Sequence, residues 1–197
     1  MKKHSLAVCA HALILVSLLT ACGSDRCPTL PGGVSYCLQP PASGPAFSVV
    51  QQVVIVEGEQ QETLLAFIEN NPRRLALVGL TPLGQTVLTV TWDGKHIVAS
   101  GPPGTGARIK PAVLVAVLQF GLWPPDAVRA GLPDNVVWKE GATDGQLTRQ
   151  GKSLLTLRRT GQAVPYDTLS IALHPAKLLM NIHTLTEDAC CGVNTAP

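Results

Sequence analysis

The feature that most constrains the fold of this chain is a succession of short runs rich in β-branched residues, each closed by residues that favour turns. Five such runs follow one another between residues 47 and 100: FSVVQQVVIVEG, ETLLAFIEN, RRLALVGLT, QTVLTVTWDG and KHIVAS. The Asp93-Gly94 pair is a strong hairpin signal between two of them. The spacing predicts antiparallel strands, because the connections are too short for parallel crossovers.

The fourth run shows how the two faces of the predicted sheet differ. Apolar Leu88, Val90 and Trp92 alternate with Thr89 and Thr91. Successive side chains in a strand point to opposite faces, so this pattern predicts one apolar and one polar face. The first run is apolar on both faces, which predicts a strand at the centre of the sheet or against a helix.

The spacing of the apolar residues along the sequence changes after the fifth run. Residues 110–120, KPAVLVAVLQF, are apolar almost all round and predict a buried helix. A second, short helix is predicted to start at Pro124-Pro125 and to end at Gly131. Strand-like runs then return as NVVWKE, KSLLTLRRT, DTLSIALHP and LLMNIHTLT. Strands, a helical insertion and more strands predict an α+β fold with a dominant antiparallel sheet.

The stretch GPPGTGAR, residues 101–108, has the glycines of a phosphate-binding loop without its chemistry. A Walker A loop needs a lysine to reach the phosphates and a Ser or Thr hydroxyl to bind Mg²⁺. Ala107 and Arg108 stand at those two positions. We therefore interpret residues 101–106 as a linker from the sheet to the helix, and we expect no nucleotide binding.

Motifs for other chemistry are missing from the sequence. It contains neither G-x-S-x-G nor H-E-x-x-H, and His96, His174 and His183 are each flanked by strand-like residues. We expect a protein that is not an enzyme and has no cofactor and no metal site. A hydrolase built from separate Ser and His residues stays open as an alternative, although no motif points to one.

The N-terminus carries an export signal. Lys2 and Lys3 precede an apolar run from Leu6 to Leu19, and the sequence LTAC ends at Cys22. LTAC resembles the lipobox of bacterial lipoproteins, which implies removal of residues 1–21 and acylation of Cys22. Gly23 follows where inner-membrane lipoproteins have Asp, so we expect a lipid anchor in the outer membrane and a domain facing the periplasm. The alternatives are an ordinary signal peptide or an uncleaved anchor helix.

Charge and cysteines narrow the partners further. The formal net charge of +2 equals Lys2 plus Lys3, so the mature chain is neutral and offers no electrostatic footprint for nucleic acid. Export to an oxidising compartment predicts disulfides among the four cysteines that follow Cys22, and the sequence does not choose among their three possible pairings. A metal site near His183 is the less favoured alternative, because no ligand pair has zinc-finger spacing. The disulfide candidates are Cys27, Cys37, Cys190 and Cys191.

These patterns divide the chain into four parts. They are a lipoprotein signal peptide over residues 1–21, a Pro/Gly-rich tether over 22–46, a folded domain over 47–189 and a C-terminal tail over 190–197. Proline and glycine are so dense between residues 23 and 46 that we expect a spacer between lipid and domain.

The segment LALVGLTPLGQTVLTVTWDG and the helical insertion that ends in GLWPPDAVRAGLPDN resemble the LolB-like outer-membrane lipoprotein receptors and their periplasmic LolA-like carriers. The whole chain is similar to a family of small lipoproteins within that fold, often encoded beside aryl-polyene and fatty-acid-type pathways. The resemblance covers roughly residues 47–187, and its most specific part is L-T-P-L-G, Leu80 to Gly84.

The resemblance implies an incomplete antiparallel barrel, or half-barrel, whose concave apolar face is covered by helices and receives acyl chains. It implies acylated cargo, either a lipoprotein or a lipid, a periplasmic carrier as partner, and delivery into the membrane through Leu83. The alternative is a structural or assembly lipoprotein with a filled core that binds a protein partner. The residues expected to line the cavity, or to fill the core, are Leu88, Val90, Trp92, Leu114, Leu118, Ile171 and Ile182.

Overall fold

The computed structural model describes residues 26–102 and 109–185. This part of the chain contains two α-helices, α1 (Pro111–Leu122) and α2 (Pro125–Ala130), and two 3-10 turns, Pro41–Ser43 and His174–Ala176. Its strands, numbered in chain order, are β1 Thr29–Leu30, β2 Val34–Ser35, β3 Phe47–Glu57, β4 Gln60–Asn71, β5 Arg74–Leu80, β6 Thr86–Trp92, β7 Ile97–Ser100, β8 Val137–Glu140, β9 Asp144–Arg149, β10 Lys152–Thr160, β11 Thr168–Leu173 and β12 Leu178–Thr184.

Ten of these strands form one antiparallel sheet in the order β7-β6-β5-β4-β3-β12-β11-β10-β9-β8. The pairing of β3 with β12 joins the strands before the helices to the strands after them. The first apolar run therefore lies at the centre of the sheet, as predicted. The two short strands β1 and β2 form a separate ribbon.

The helices lie on one face of this sheet, which we call the concave face. At Gly121 of α1, an added Cβ would meet Leu169 Cδ2 at 2.6 Å and Ile171 Cδ1 at 3.4 Å, so the glycine lets the helix approach β11 closely. The register carries this face from Leu169 through Ile182 and Val53 to β4. The opposite face is called the convex face.

The sheet curls around α1. The helix contacts β7 at one edge of the sheet, and its Phe120 ring lies 5.2 Å from the ring of Trp138 in β8 at the other edge. Nine strand spacings would separate these edges by about 43 Å in a flat sheet, whereas α1 is about 18 Å long. The fold is thus α+β and mainly antiparallel, an open half-barrel with a helical cover over its concave face, which confirms the predicted fold class.

Residues 26–46, the N-terminal strap, differ from the expected spacer. Leu30, Val34, Tyr36 and Leu38 are fully buried in the core instead of being solvated. Proline and glycine do prevent a long helix or strand here, but apolar residues at every second position still bury one side of an extended chain. The domain therefore includes the strap, and its boundary lies before residue 47.

The predicted helices are found within two residues of their expected ends. Three of the described strands were not predicted. Strands β1 and β2 lie in the strap, where a spacer was expected. Strand β9 was not predicted because Leu147 is the only large apolar residue in its sequence DGQLTR. Within residues 26–102 and 109–185, no helix is both long and apolar enough to cross a bilayer. The predicted signal peptide with Cys22, the residues 103–108 of the predicted linker, and the tail with Cys190 and Cys191 lie outside the described residues.

Candidate functional site

The concave face is sealed at one end and partly exposed at the other. Along β4 on this face, Glu62 is exposed, Leu64 is partly exposed, and Ala66 and Ile68 are buried. The neighbouring strand β3 repeats the gradient: partly exposed Ile55 and Val53 precede buried Gln51 and Val49. The exposed end is the end where the β3–β4 and β5–β6 turns lie, and we call it the apolar rim. Its partly exposed concave-face residues are Val53, Ile55, Leu64 and Leu88.

The seven residues predicted to line a cavity divide between the two ends of this gradient. Leu88 and Leu114 are partly exposed and pack against the core. Leu88 lies in β6 beside the rim, and Leu114 lies in the first turns of α1. The other five are 5% exposed or less and belong to the closed core: Val90, Trp92, Leu118, Ile171 and Ile182.

Helix α1 is an unusual cover because almost every residue in it is apolar and buried. From Val115 onward all its residues are buried, so no side of this part faces water. Its one polar side chain is Gln119, which is fully buried. A buried amide must find hydrogen-bond partners, and Gln119 finds them in the N-terminal strap.

Gln119 holds the strap through three hydrogen bonds. Its Oε1 accepts from the Tyr36 hydroxyl at 3.0 Å and from the Gln39 backbone N–H at 2.9 Å. Its Nε2 donates to the Gln39 carbonyl at 2.7 Å, and Trp92 Nε1 donates to the same carbonyl at 2.9 Å. The strap thus bridges α1 and the end of β6, and it closes the end of the concave face opposite the apolar rim.

Further contacts fix the rest of the strap. Asn70 Nδ2, at the end of β4, donates to the carbonyls of Pro41 and Pro45 at 3.1 Å and 2.7 Å. A disulfide joins Cys27 to Cys37, one of the pairings that the sequence left open. The Cys37 backbone N–H donates to the Gly131 carbonyl just after α2. Burial raises the pKa of the Tyr36 hydroxyl, because the charged phenolate would be desolvated here.

Leu83 lies on a tight turn at the apolar rim. Thr81 N–H donates to the Gln85 carbonyl at 2.8 Å, and Gly84 N–H donates to the Thr81 carbonyl at 2.9 Å. Gly84 has φ +82°, a conformation that glycine adopts without steric cost. The predicted outward position of Leu83 is confirmed, since its side chain is 89% exposed. The turn follows β5 and precedes β6, so Leu83 and Leu88 lie at the same end of the sheet.

The charged residues of the concave face do not form a reactive site. Arg159 is buried and forms a salt bridge with Glu140, and its guanidinium also donates to the carbonyls of Gly141 and Ala142. Its guanidinium carbon lies 5.0 Å from the centre of the Tyr166 ring. The Arg159 charge is therefore satisfied by groups of the protein itself, and loss of Glu140 would leave it buried and unpaired.

The histidines occupy separate surface positions. His96 Nδ1 lies 3.4 Å from Asp93 Oδ2. The pKa of the Asp93 carboxyl is lowered because the backbone N–H groups of His96 and Lys95 donate to it. His174 Nε2 lies 3.1 Å from Thr156 Oγ1, and His183 is exposed on β12. Across the described ranges, no three His, Cys, Asp or Glu residues are grouped so that they could hold a metal ion.

A second depression of about 520 Å³ lies where β9, β10 and β11 meet. It is open, and all its lining residues have polar or charged side chains, in contrast to the apolar rim. Its lining consists of Thr143, Asp144, Arg158, Arg159, Thr160, Thr168 and Ser170.

Sequence reasoning missed three rim residues, Val53, Ile55 and Leu64. The available signal is the continuous apolar run VVIV in β3, which predicts a central strand but not its exposed end. Period-two alternation assigns a residue to a face. It does not tell which end of the strand stays open.

Comparisons with known proteins give structural likenesses and one family. A Vibrio parahaemolyticus domain assigned to outer membrane lipoprotein sorting is 8% identical, with a TM-score of 0.41, over 71% of this chain and 83% of that chain. A search among curated proteins gives no significant match. Residues 48–186, well over half of the chain, match the family model described as "Protein of unknown function (DUF3261)". The chain therefore belongs to the DUF3261 family.

Proposed function

We propose that this protein is an envelope lipoprotein that holds acyl chains of a lipoprotein or lipid product on its concave face and delivers them to the outer membrane. The observation that carries the proposal is the exposure gradient of the concave face. Aliphatic side chains line this face from Leu88 and Leu64, which are partly exposed at the rim, to Val90, which is 2% exposed.

The chemistry of such a face suits acyl chains. Apolar burial is non-directional, so an aliphatic wall accepts chains of varied length and saturation. Each CH₂ group removed from water contributes about 0.8 kcal/mol. Eight such groups supply about 6 kcal/mol, which corresponds to a Kd between millimolar and micromolar. Binding of this strength permits both uptake and release.

Delivery is the second part of the proposal. Leu83 projects from the same rim at which the concave face is partly exposed, so it is placed to enter a bilayer beside the departing acyl chain. The lipobox-like LTAC motif would anchor the mature chain through Cys22, whose acyl chains give stable membrane attachment. A periplasmic carrier that donates the cargo is part of this proposal, as is the absence of catalysis.

The test uses two adjacent residues on opposite faces of β6. Leu88 faces the concave side and Thr89 the convex side. We expect Leu88→Glu to weaken binding of a fluorescent fatty-acid probe at least tenfold, because a carboxylate in the acyl path must be desolvated. Thr89→Glu adds the same charge and should leave the affinity unchanged. Equal affinities of both variants and the wild type would contradict the proposal.

The filled core supports a second candidate, an assembly lipoprotein that binds a protein partner. Five of the seven predicted cavity residues, Trp92 and Ile171 among them, are closed off from solvent and pack in one cluster. This candidate predicts that the purified mature chain carries no lipid and takes up no probe. Lipid extraction and native mass spectrometry separate the two functions, because acyl-binding predicts co-purifying acyl species.

A further inference from the structure

The convex face of the sheet is divided into an apolar half and a polar half. On β3 to β7 it presents a row of Val50, Phe67 and Val78, which are direct neighbours across three strands. Phe67 is 46% exposed, and Val98 of β7 is 67% exposed. On β9 to β12 the same face carries mainly polar side chains, with Ala172 and Leu179 as apolar exceptions. Further partly exposed members of the apolar half are Val54, Val56, Leu65, Ala76 and Leu80.

Charge is absent from the apolar half except at its margin. The charged convex-face residues of β3 to β7 are Glu69 and Arg74, which lie at the margin and pair at 3.7 Å. All other convex-face residues of these strands are apolar or carry hydroxyls or amides. Polar and charged groups fix the register of a specific protein partner. A lipid surface needs no such register.

The apolar half has the size of a functional surface patch. Five strands about 4.8 Å apart and about seven residues long cover a footprint of roughly 550 Å². Exposed apolar patches of this size on monomeric proteins are often functional.

The apolar half continues into the exposed turn. Leu80 ends β5 on the convex face, and Leu83 follows three residues later with its side chain in solvent. Together they form one apolar surface that runs from Phe67 to the rim. We infer that this surface, the convex face of β3 to β7 with the Leu83 turn, docks on a lipid bilayer and holds the rim against it. The inference rests on the proposed function and adds to it the orientation of the protein on the bilayer.

The test uses neutral phosphatidylcholine vesicles and the mature chain, residues 22–197 with Cys22→Ser, which lacks the anchor and contains every described residue. We expect the wild-type sequence to float with the vesicles and Phe67→Glu to lower the partition coefficient about tenfold or more. Gln146→Glu, on the polar half, should leave partitioning unchanged. Absence of wild-type binding, or equal partitioning of all three proteins, would overturn the inference.

Two further measurements separate this inference from the proposed function. Thr89→Glu should weaken vesicle binding and keep probe affinity, whereas Leu88→Glu should lower probe affinity. If Phe67→Glu lowers the Tm, Thr89→Glu, at a partly exposed convex position of β6, provides the independent variant. Analytical ultracentrifugation should find a monomer, and a dimer that Phe67→Glu dissociates would show that a second copy covers this face and that the inference is wrong.

Discussion

Replacement of Gln119 by leucine tests whether hydrogen bonds from α1 hold the N-terminal strap. The change leaves the Tyr36 hydroxyl and the Gln39 N–H without their acceptor, while the Gln39 carbonyl keeps its bond from Trp92 Nε1. Each buried donor left unpaired costs about 1 to 3 kcal/mol. After the burial gain of the leucine is subtracted, we expect a loss of about 2 to 4 kcal/mol in the free energy of unfolding.

Such a loss is a large share of the 5 to 15 kcal/mol that is ordinary for a domain. It should lower the Tm by about 5 to 15 °C in differential scanning calorimetry or thermal circular dichroism. The matched control is Gln52→Leu on the exposed convex side of β3, which should change the Tm little. Limited proteolysis should cut the strap of the Gln119→Leu variant first.

A double-mutant cycle sharpens the result. Tyr36→Phe alone should cost about 1 kcal/mol, because it removes one hydrogen bond. In the Gln119→Leu background the same change removes an orphaned donor, so it should be neutral or stabilising. If Gln119→Leu unfolds within a degree or two of the wild type, or if the two changes are additive, the hydrogen bonds of Gln119 do not hold the strap.

Three further predictions concern Tyr36, Leu83 and Cys22. Because burial raises the pKa of Tyr36, its contribution to stability is complete below about pH 10 and is lost as the pH rises further, so alkaline unfolding should be steeper in the wild type than in Tyr36→Phe. Leu83→Glu should slow transfer of acyl cargo to liposomes about ten- to a hundredfold with unchanged Tm and probe affinity, since Leu83 makes little contact with the fold; transfer at the wild-type rate would contradict its role. Cys22→Ser should abolish acylation and membrane fractionation, and detection of normal acylation in that variant would refute the lipobox interpretation.

The sheet and the main helix could be predicted because their signals are local. The alternation of Leu88, Val90 and Trp92 fixed their shared face, and the apolar run before Trp123 fixed α1. Strand β9 could not be predicted because its position depends on a tertiary contact. A Cβ at Gly145 would lie 2.7 Å from Trp138 Cη2, so the glycine makes room for the Trp138 ring. The sequence around Gly145 does not predict this contact.

The burial of the strap and the exposure of the rim could not be predicted from the sequence, for related reasons. The prolines and glycines of the strap predict an irregular chain, which is correct. An irregular backbone can nevertheless be buried when side chains distant in sequence satisfy its hydrogen-bonding groups. Gln119 and Asn70 do so across about 80 and 25 to 29 residues of sequence. Likewise, Leu88 and Val90 share one face and one pattern, and only the assembled sheet shows that Leu88 lies at the exposed end.

The most direct test of the account is to crosslink a photoreactive acyl chain to the protein and to map the labelled peptides. A diazirine fatty acid irradiated with the mature chain should label peptides that carry the rim residues Val53, Leu64 and Leu88 and the partly exposed Leu114 of α1, and an excess of unlabelled fatty acid should suppress that labelling. Labelling that is confined to the convex face around Phe67, or that does not exceed the labelling of the unfolded chain, would contradict the claim that the concave face binds acyl chains.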